Sequence, residues 1–234
     1  MPIIYSATTD NDISTGISAT WSSVRDASTG TLGDASSTND SFAVSVFRFT
    51  GRGADQYRVH RSFFHFDTSG ITATVSEATL KLFSTSVAGD ANIIVLASDA
   101  FTGGSDALVA DDFNNLDFST PYSGEVDTSG TSGSGTTFDI TLNAAALAIM
   151  KSSNDFKIAV VNYDYDYNNT APTSGNNHRW SLYYADAVGT STYDPRIDYT
   201  LATGYGNDIN GVAAASIGKV DGVTTADIEK VIGV

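Results

Sequence analysis

Residues 61–84, RSFFHFDTSGITATVSEATLKLFS, are the most informative part of the sequence for the fold. Near its end, Leu80 and Leu82 alternate with Thr79 and Lys81. A period of two between apolar and polar side chains predicts a β-strand with one buried face. The first half of the stretch is a second strand candidate, and Asp, Ser and Gly separate the two. The stretch therefore predicts two strands of an antiparallel fold.

The same alternation recurs along the chain, in TFDITL (137–142), RWSLYY (179–184) and RIDYTL (196–201). Half-buried strands divided by Gly, Ser, Asp and Asn predict an all-β chain folded as an antiparallel β-sandwich. Further strand candidates are 2–8, 17–25, 42–49, 57–67, 91–98 and 156–163. The side chains expected in the core are Phe64, Phe66, Leu80, Leu82, Phe138, Ile140, Ile158, Trp180 and Ile197.

One short helix is expected between the strands, in NAAALAIMK (143–151). Asn143 suits the N-cap, alanine favours helix, and Lys151 suits the C-terminal end. Long polar loops are expected at 26–41, 101–136 and 164–178.

The composition excludes several function classes. The formal net charge of -15 makes nucleic acid and anionic membrane surfaces poor partners. The 27 acidic residues include only three glutamates, so most are aspartates, which favour turns and caps over helix interiors. The chain has no cysteine, so it uses neither disulfides nor thiolate metal sites.

The first residues and the apolar runs bear on localisation. MPIIYSATTDND (1–12) lacks the basic and long apolar regions of a secretory signal, and no apolar run is long enough to span a bilayer. We therefore expect synthesis in a host cytoplasm and no membrane span.

The stretch at 61–84 resembles the signature of the DNRLRE family, a jelly-roll module. In that signature, an Arg-led strand ending in Phe-Asp precedes a short loop and an A-T-L-x-L strand. Later segments follow the family's order: TTFDITLNAAALAIM (136–150), FKIAVVN (156–162) and the closing YYADAVGTSTYDPRIDYTL (183–201). The chain departs from the family at 101–125, where a Trp-containing strand is common. The matching residues are Arg61, Phe64, Phe66, Asp67, Ala78, Thr79, Leu80 and Leu82.

This resemblance covers roughly residues 1–203 and implies a jelly-roll sandwich. The family occurs in carbohydrate-binding modules and bacterial surface proteins, and similar modules occur in phage structural proteins. The C-terminal segment is similar to tails of virion proteins from environmental phages. The expected organisation is a sandwich domain at 1–203, a linker at 204–208 and a repeat tail at 209–234.

Candidate catalytic residues are sparse. His60 and His65 lie five residues apart in one strand candidate and so point to opposite faces, which rules out joint chelation. No nucleophile motif is present, and no pair of carboxylates stands out among the aspartates. We expect no enzyme activity, no cofactor and no assigned metal. The aspartates of 10–12, or Asp164 with Asp166, are an alternative Ca²⁺ site.

The segment NYDYDYNN (162–169) is the candidate for ligand contact. If the preceding strand continues, Tyr163, Tyr165 and Tyr167 share one face. A flat row of tyrosines can stack on sugar C–H faces while its hydroxyls form hydrogen bonds. The alternative is that tyrosine simply favours strands.

The last 26 residues repeat with a period of eleven: INGV at 209, VDGV at 220 and VIGV at 231. The regular Gly argues against a continuous helix, so a turn at Val-x-Gly-Val followed by one helical turn is expected. Exposed aliphatic side chains at fixed spacing indicate an interface, and a floppy tail is the alternative. The predicted assembly residues are Ile209, Val212, Ile217, Val220, Val223, Ile228, Val231 and Val234.

These features lead to two function hypotheses. The first is a non-enzymatic virion structural or adhesion protein: a capsid decoration protein, a head fibre or a tail-associated adhesin. Its tail would mediate self-association, with a trimer as one arrangement, or docking onto a neighbouring virion protein. The alternative is an extracellular carbohydrate-binding module with a glycan partner.

Overall fold

The computed structural model describes residues 1–33, 39–51, 53–89, 91–129, 135–173, 177–185 and 192–202, and two short strands at 219–220 and 223–224. The strands are β1 (Ile3–Tyr5), β2 (Asn11–Ser14), β3 (Thr31–Leu32), β4 (Asn39–Phe49), β5 (Gln56–Asp67), β6 (Val75–Ala88), β7 (Ile93–Ser98), β8 (Leu116–Pro121), β9 (Thr136–Thr141), β10 (Asp155–Asn162), β11 (Asn177–Tyr183), β12 (Arg196–Leu201), β13 (Lys219–Val220) and β14 (Val223–Thr224). The helical elements are α1 (Trp21–Arg25), a 3-10 helix (Ala110–Asn114), α2 (Ala144–Ser152) and a π-helical turn (Tyr163–Tyr167).

Twelve of the described strands form one open antiparallel sheet. Its strand order is β1-β12-β6-β11-β4-β5-β10-β7-β8. In addition, β9 pairs with β6, β2 pairs with β5, and β3 pairs with β2. Each long central strand has two sets of neighbours. The first part of β6 pairs with β12 and β9, and its end pairs with β11. The start of β5 pairs with β4, and its end pairs with β10. Because β4 and β11 pair with each other, they join the two halves, and the sheet folds into a sandwich.

The apolar faces of the two halves meet in the main core. Phe64, Phe66 and Ile158 come from the β5–β10 half, and Leu82 and Ile140 come from the β6–β9 half. All nine side chains expected in the core are buried in this cluster, which confirms the prediction of an all-β sandwich. The alternation succeeds in strands such as β9 and β12, which have one face in the core and the other toward the surface.

The predicted helix is also confirmed, at Ala144–Ser152. The side chain of Asn143 caps it by accepting hydrogen bonds from the backbone N–H groups of Ala145 and Ala146, at 3.0 and 3.2 Å. These bonds satisfy donors that have no partner within the first helical turn.

A second core lies on the other face of β5, β10 and β7 and was not predicted. It contains Ile13, Val59, Phe63, Leu96 and Phe113, among others. β2, α1 and the 3-10 helix supply covering side chains. This layer includes strands in segments that the sequence left as loops, since β8 lies within 101–136 and β3 within 26–41.

The strand expected at 17–25 is wrong, because Trp21–Arg25 forms α1. A five-residue helix has little intrinsic stability. Trp21 Nε1 donates to Asn169 Oδ1 at 3.0 Å, and Arg25 Nε donates to the Asp166 carbonyl at 2.8 Å. Tertiary contacts of this kind hold α1 in place.

The described sandwich ends at Ala202, directly after β12. The expected linker at 204–208 lies outside the described residues, so the boundary at 203 stays a prediction. Within the described part of the chain, none of the helices has the length and apolar character needed to cross a membrane.

Candidate functional site

The three tyrosines of the predicted glycan row do not continue strand β10. The strand ends at Asn162, and Tyr163–Tyr167 forms a π-helical turn. The Asn162 side chain accepts a hydrogen bond from the Tyr165 backbone N–H at 2.9 Å, which helps to turn the chain. The predicted shared strand face is therefore wrong.

The three rings are half-buried and pack in different directions. The rings of Tyr163 and Tyr167 stack on each other with centroids 5.4 Å apart, and Tyr165 lies 4.5 Å from the ring of His178. All three pack against the second core. Glycan binding by these residues stays a prediction, without the flat row that motivated it.

Asp166 lies in the same turn and forms a buried ion pair with Arg61 of β5. Both side chains are fully buried. Arg61 Nε and Nη2 donate to the two carboxylate oxygens of Asp166, at 2.8 and 2.9 Å. Paired donors in this arrangement match the carboxylate geometry, so the bonds are strong and directional.

The remaining donors of Arg61 bind two backbone carbonyls and one side chain. Nη1 donates to the Phe113 carbonyl at 3.0 Å and to Asn114 Oδ1 at 3.5 Å, and Nη2 donates to the Arg25 carbonyl at 2.6 Å. The guanidinium also lies over the Phe113 ring, 4.1 Å from its centroid. One arginine thus joins β5 to the π-helical turn, the 3-10 helix and α1.

This pairing bears on the alternative Ca²⁺ site at Asp164 and Asp166. The guanidinium of Arg61 binds both oxygens of Asp166 and places a positive charge where a cation would sit. One oxygen of Asp164 accepts a hydrogen bond from the Asn92 backbone N–H at 3.2 Å. The two carboxylates therefore have structural partners.

Residues 10–12 also make structural contacts. Asp10 accepts from the Ala185 backbone N–H at 3.2 Å, and the Asn11 side-chain amide donates to the Gly33 carbonyl at 3.3 Å. Asp12 Oδ2 lies 3.0 Å from His60 Nδ1. Among the residues that the structure describes, no group of three or more His, Asp or Glu side chains is arranged to hold a metal ion.

Asp112 organises the segment after β7. Its buried carboxylate accepts hydrogen bonds from the backbone N–H groups of Phe101, Thr102 and Val109 and from the side chains of Thr102 and Asn115, over 2.7–3.2 Å. Burial alone raises the pKa of Asp112, but these hydrogen bonds outweigh it and hold the pKa below its usual value. The bond to Phe101 supports a backbone φ of +65°, which is unfavourable for a residue with a side chain.

The histidines lie in separate surroundings. His65 Nε2 is 3.0 Å from a carboxylate oxygen of Asp155, and its ring packs beside Phe101 in the second core. His60 contacts Asp12 and Phe47. All three histidines, including His178, are buried, so each has a packing role.

An aromatic cluster on the surface of the β6 half was missed. We name it the outer strip and define it as Phe83, Tyr183, Tyr193 and Arg196. The rings of Tyr183 and Tyr193 stack at 4.8 Å, Phe83 meets Tyr193 edge-on at 5.8 Å, and the Arg196 guanidinium lies 5.1 Å from the Phe83 centroid. Both tyrosines are partly exposed.

Part of the outer strip was readable from the sequence. Tyr183 alternates with the core residues Trp180 and Leu182, so its outward direction follows from the strand period. Tyr193 lies outside the strands, and its position depends on Gly135. That glycine has φ +81°, and a Cβ there would lie 2.7 Å from the Tyr193 ring. The contact spans 58 residues, so no local pattern marks it.

One unit of the terminal repeat forms a β-hairpin. β13 and β14 pair antiparallel, with Lys219 opposite Thr224 and Val220 opposite Val223. Residues 221–222 between the two strands, and the segment in which one helical turn is expected, lie outside the described residues. The two strands form a small sheet of their own. The other predicted assembly residues, Ile209, Val212, Ile217, Ile228, Val231 and Val234, lie outside the described residues.

No family model matches the chain, and no curated protein matches it. The resemblance to the DNRLRE family therefore rests on the residues quoted from 61–201, and that to phage tails on the terminal repeat.

Proposed function

We propose that this chain is a non-enzymatic structural or adhesion protein of a virion, with a β-sandwich that is displayed and a terminal repeat that docks it. Capsid decoration, a head fibre and a tail-associated adhesin are the positions that suit such a molecule. The observation that carries the proposal is the hairpin that begins at Lys219, where the first repeat unit meets the second, in a sheet separate from that of the sandwich.

The small size of that hairpin supports docking. Each of its strands has two residues, and an isolated two-stranded hairpin is marginal in water. The chain repeats the same pattern with valine or isoleucine at fixed positions, so the tail carries more aliphatic side chains than such a hairpin can cover. Contact with a partner surface or another copy would remove these side chains from water.

The partners of the polar side chains support a non-enzymatic role. The groups that offered acid, base or metal chemistry are His60, His65, Asp12 and Asp166. Each is buried as well as bonded to a partner, which shields it from a substrate. A general base or nucleophile instead needs access to a substrate within hydrogen-bond reach.

The test compares the light-scattering mass of the full chain with that of a 1–206 truncation. We expect the full chain to form an oligomer, or to bind purified virions, while the truncation stays monomeric and unbound. Paired substitutions Val220→Asp and Val223→Asp should have the same effect as truncation. Lys219→Asp in the same hairpin is the matched control and should retain assembly. Equal masses and equal binding for the full and truncated chains would reject the docking role.

The outer strip favours a second function, carbohydrate binding. Tyrosine rings beside a guanidinium can contact the C–H face of a sugar and hydrogen-bond its hydroxyls. On a glycan array, we expect Tyr193→Ala to weaken binding by roughly tenfold, the loss of one stacking contact. Tyr5→Ala, at a 45% exposed tyrosine of β1 outside the outer strip, is the control and should bind as the unmodified chain does. Absence of binding by the unmodified chain would reject this function.

A further inference from the structure

Helix α2 has an apolar face that the sandwich leaves uncovered. Ala146 and Met150 point into the main core, while Ile149 points outward and is 38% exposed. Four further residues of α2, at the spacing i, i+3, i+4 and i+7 from Ala144, form a third face. This face borders a groove of about 380 Å³. We name it the α2 groove. It is lined by Thr74, Val75, Ala144, Leu147, Ala148 and Lys151.

The groove is suited to aliphatic side chains. Valine, leucine and two alanines form most of its lining. The ammonium of Lys151 donates to the Thr72 carbonyl at 2.7 Å, so its methylene chain can contribute apolar surface while its charge is satisfied. The volume of the groove lies within the range of roughly 300–1,000 Å³ that is usual for ligand pockets, which is enough for several aliphatic side chains.

The chain leaves the sandwich at the edge of this groove. Leu201, the last residue of β12, pairs with Val75, and the Ala202 backbone N–H donates to the Thr74 carbonyl at 2.8 Å. Thr74 and Val75 both line the groove. The six residues 203–208 span at most about 20 Å when extended, so Ile209 is within reach.

We propose that the α2 groove binds the first repeat unit of the same chain, with Ile209, Val212 and Ile217 as the contacting side chains. A short tether raises the effective concentration of this segment to the millimolar range, which favours it over a second copy. The inference rests on the proposed docking role of the tail and adds a division of labour. The first unit anchors the tail to the sandwich, and residues 220–234 engage the partner.

The chain contains no cysteine, so two introduced cysteines report on this contact without interference. One variant carries Ala148→Cys in the groove and Val212→Cys in the first unit. A disulfide requires the two Cα atoms to come within about 7 Å. After mild oxidation in dilute solution, we expect an intramolecular disulfide, identified by intact mass and by non-reducing peptide mapping.

The matched control carries Ile149→Cys with Val212→Cys. Position 149 is next to 148 in the chain but lies about 100° further around α2 and does not line the groove. We expect this pair to form an intramolecular disulfide at least about tenfold more slowly, because the required geometry is rarely reached. Both replaced helix residues are exposed, so both variants should fold, which their urea midpoints will show.

Equal rates for the two pairs would overturn the proposal, and so would disulfides formed only between molecules, which indicate a second copy. The light-scattering mass of the unmodified chain separates this result from the docking role. If the chain is oligomeric but the Ala148→Cys pair cross-links slowly, binding of the first repeat unit in the α2 groove is rejected and the docking role of the tail is kept. Fast cross-linking in a chain that neither oligomerises nor binds virions supports the groove and rejects docking.

Discussion

Replacing Asp166 by alanine should lower the free energy of unfolding by roughly 3–5 kcal/mol, because it leaves a buried charge without its partner. Arg61 is fully buried, and Asp166 is the carboxylate that its Nε and Nη2 bind. The substitution also releases the π-helical turn from β5. Urea unfolding followed by tryptophan fluorescence measures the change.

An exposed ion pair in the same sandwich provides the control. Lys81 and Asp139 lie opposite each other on β6 and β9 with 2.6 Å between their charged atoms, but Asp139 is 58% exposed. Asp139→Ala should cost no more than about 1 kcal/mol, because water screens the pair. If Asp166→Ala also cost no more than about 1 kcal/mol, the structural role assigned to the buried pair would be contradicted.

A double variant tests whether the cost comes from the unpaired charge. Arg61→Met combined with Asp166→Ala removes both charges and keeps an apolar side chain against Phe113. It should lose less stability than the two single substitutions added together, since a buried pair stabilises little relative to apolar replacements. Additive losses would mean that the two side chains act independently.

Replacing Leu82 by alanine should cost roughly 2–5 kcal/mol, because it leaves a cavity in the main core. Leu82 is completely buried and lies opposite Phe138 in the β6–β9 pairing. Side chains from both halves of the sandwich surround it in this core, so the site cannot collapse freely. The midpoint of urea unfolding should fall with the slope unchanged.

Ile149→Ala is the matched control for this substitution. Ile149 is an aliphatic residue of similar size, but it faces outward from α2. Its replacement should change stability by no more than about 0.5 kcal/mol. If the two variants lost the same stability, Leu82 would not be part of a close-packed core.

The part of the main core formed by β9 and β12 was predictable because each of these strands has one buried face. Phe138 and Ile140 alternate with exposed Thr137 and Asp139, so a local pattern carries the information. Asn143 was likewise readable as a cap, since capping depends on residues within one turn.

The second core was not predictable in this way. In β5, eight consecutive residues from Val59 to Phe66 are buried, so neither face shows a polar alternation. The elements that cover it are short and depend on distant contacts. Arg61 and Asp166 are 105 residues apart, and Trp21 and Asn169 are 148 apart. No local window of sequence contains either pair.

The π-helical turn at the candidate site was also not predictable from local sequence. Tyrosine and the preceding apolar strand both favour continued extension at Tyr163. The burial of Asp166 against Arg61 accompanies the turn, and the Asn162 side chain bonds to its backbone. A distant ion pair thus overrides the local strand preference of the tyrosines.

The pairing of β1 with β12 makes the two ends of the sandwich different. The Pro2 carbonyl accepts a hydrogen bond from the Tyr199 backbone N–H at 3.1 Å, so the first and last described parts of the sandwich meet at one end. Ser6 bridges to Phe66 near the end of β5, while Gln56 begins that strand ten residue steps away. Those steps correspond to roughly 33 Å along an extended strand. Exposed Phe49, opposite Gln56, therefore marks a rim at the other end of β5 from the β1–β12 pair.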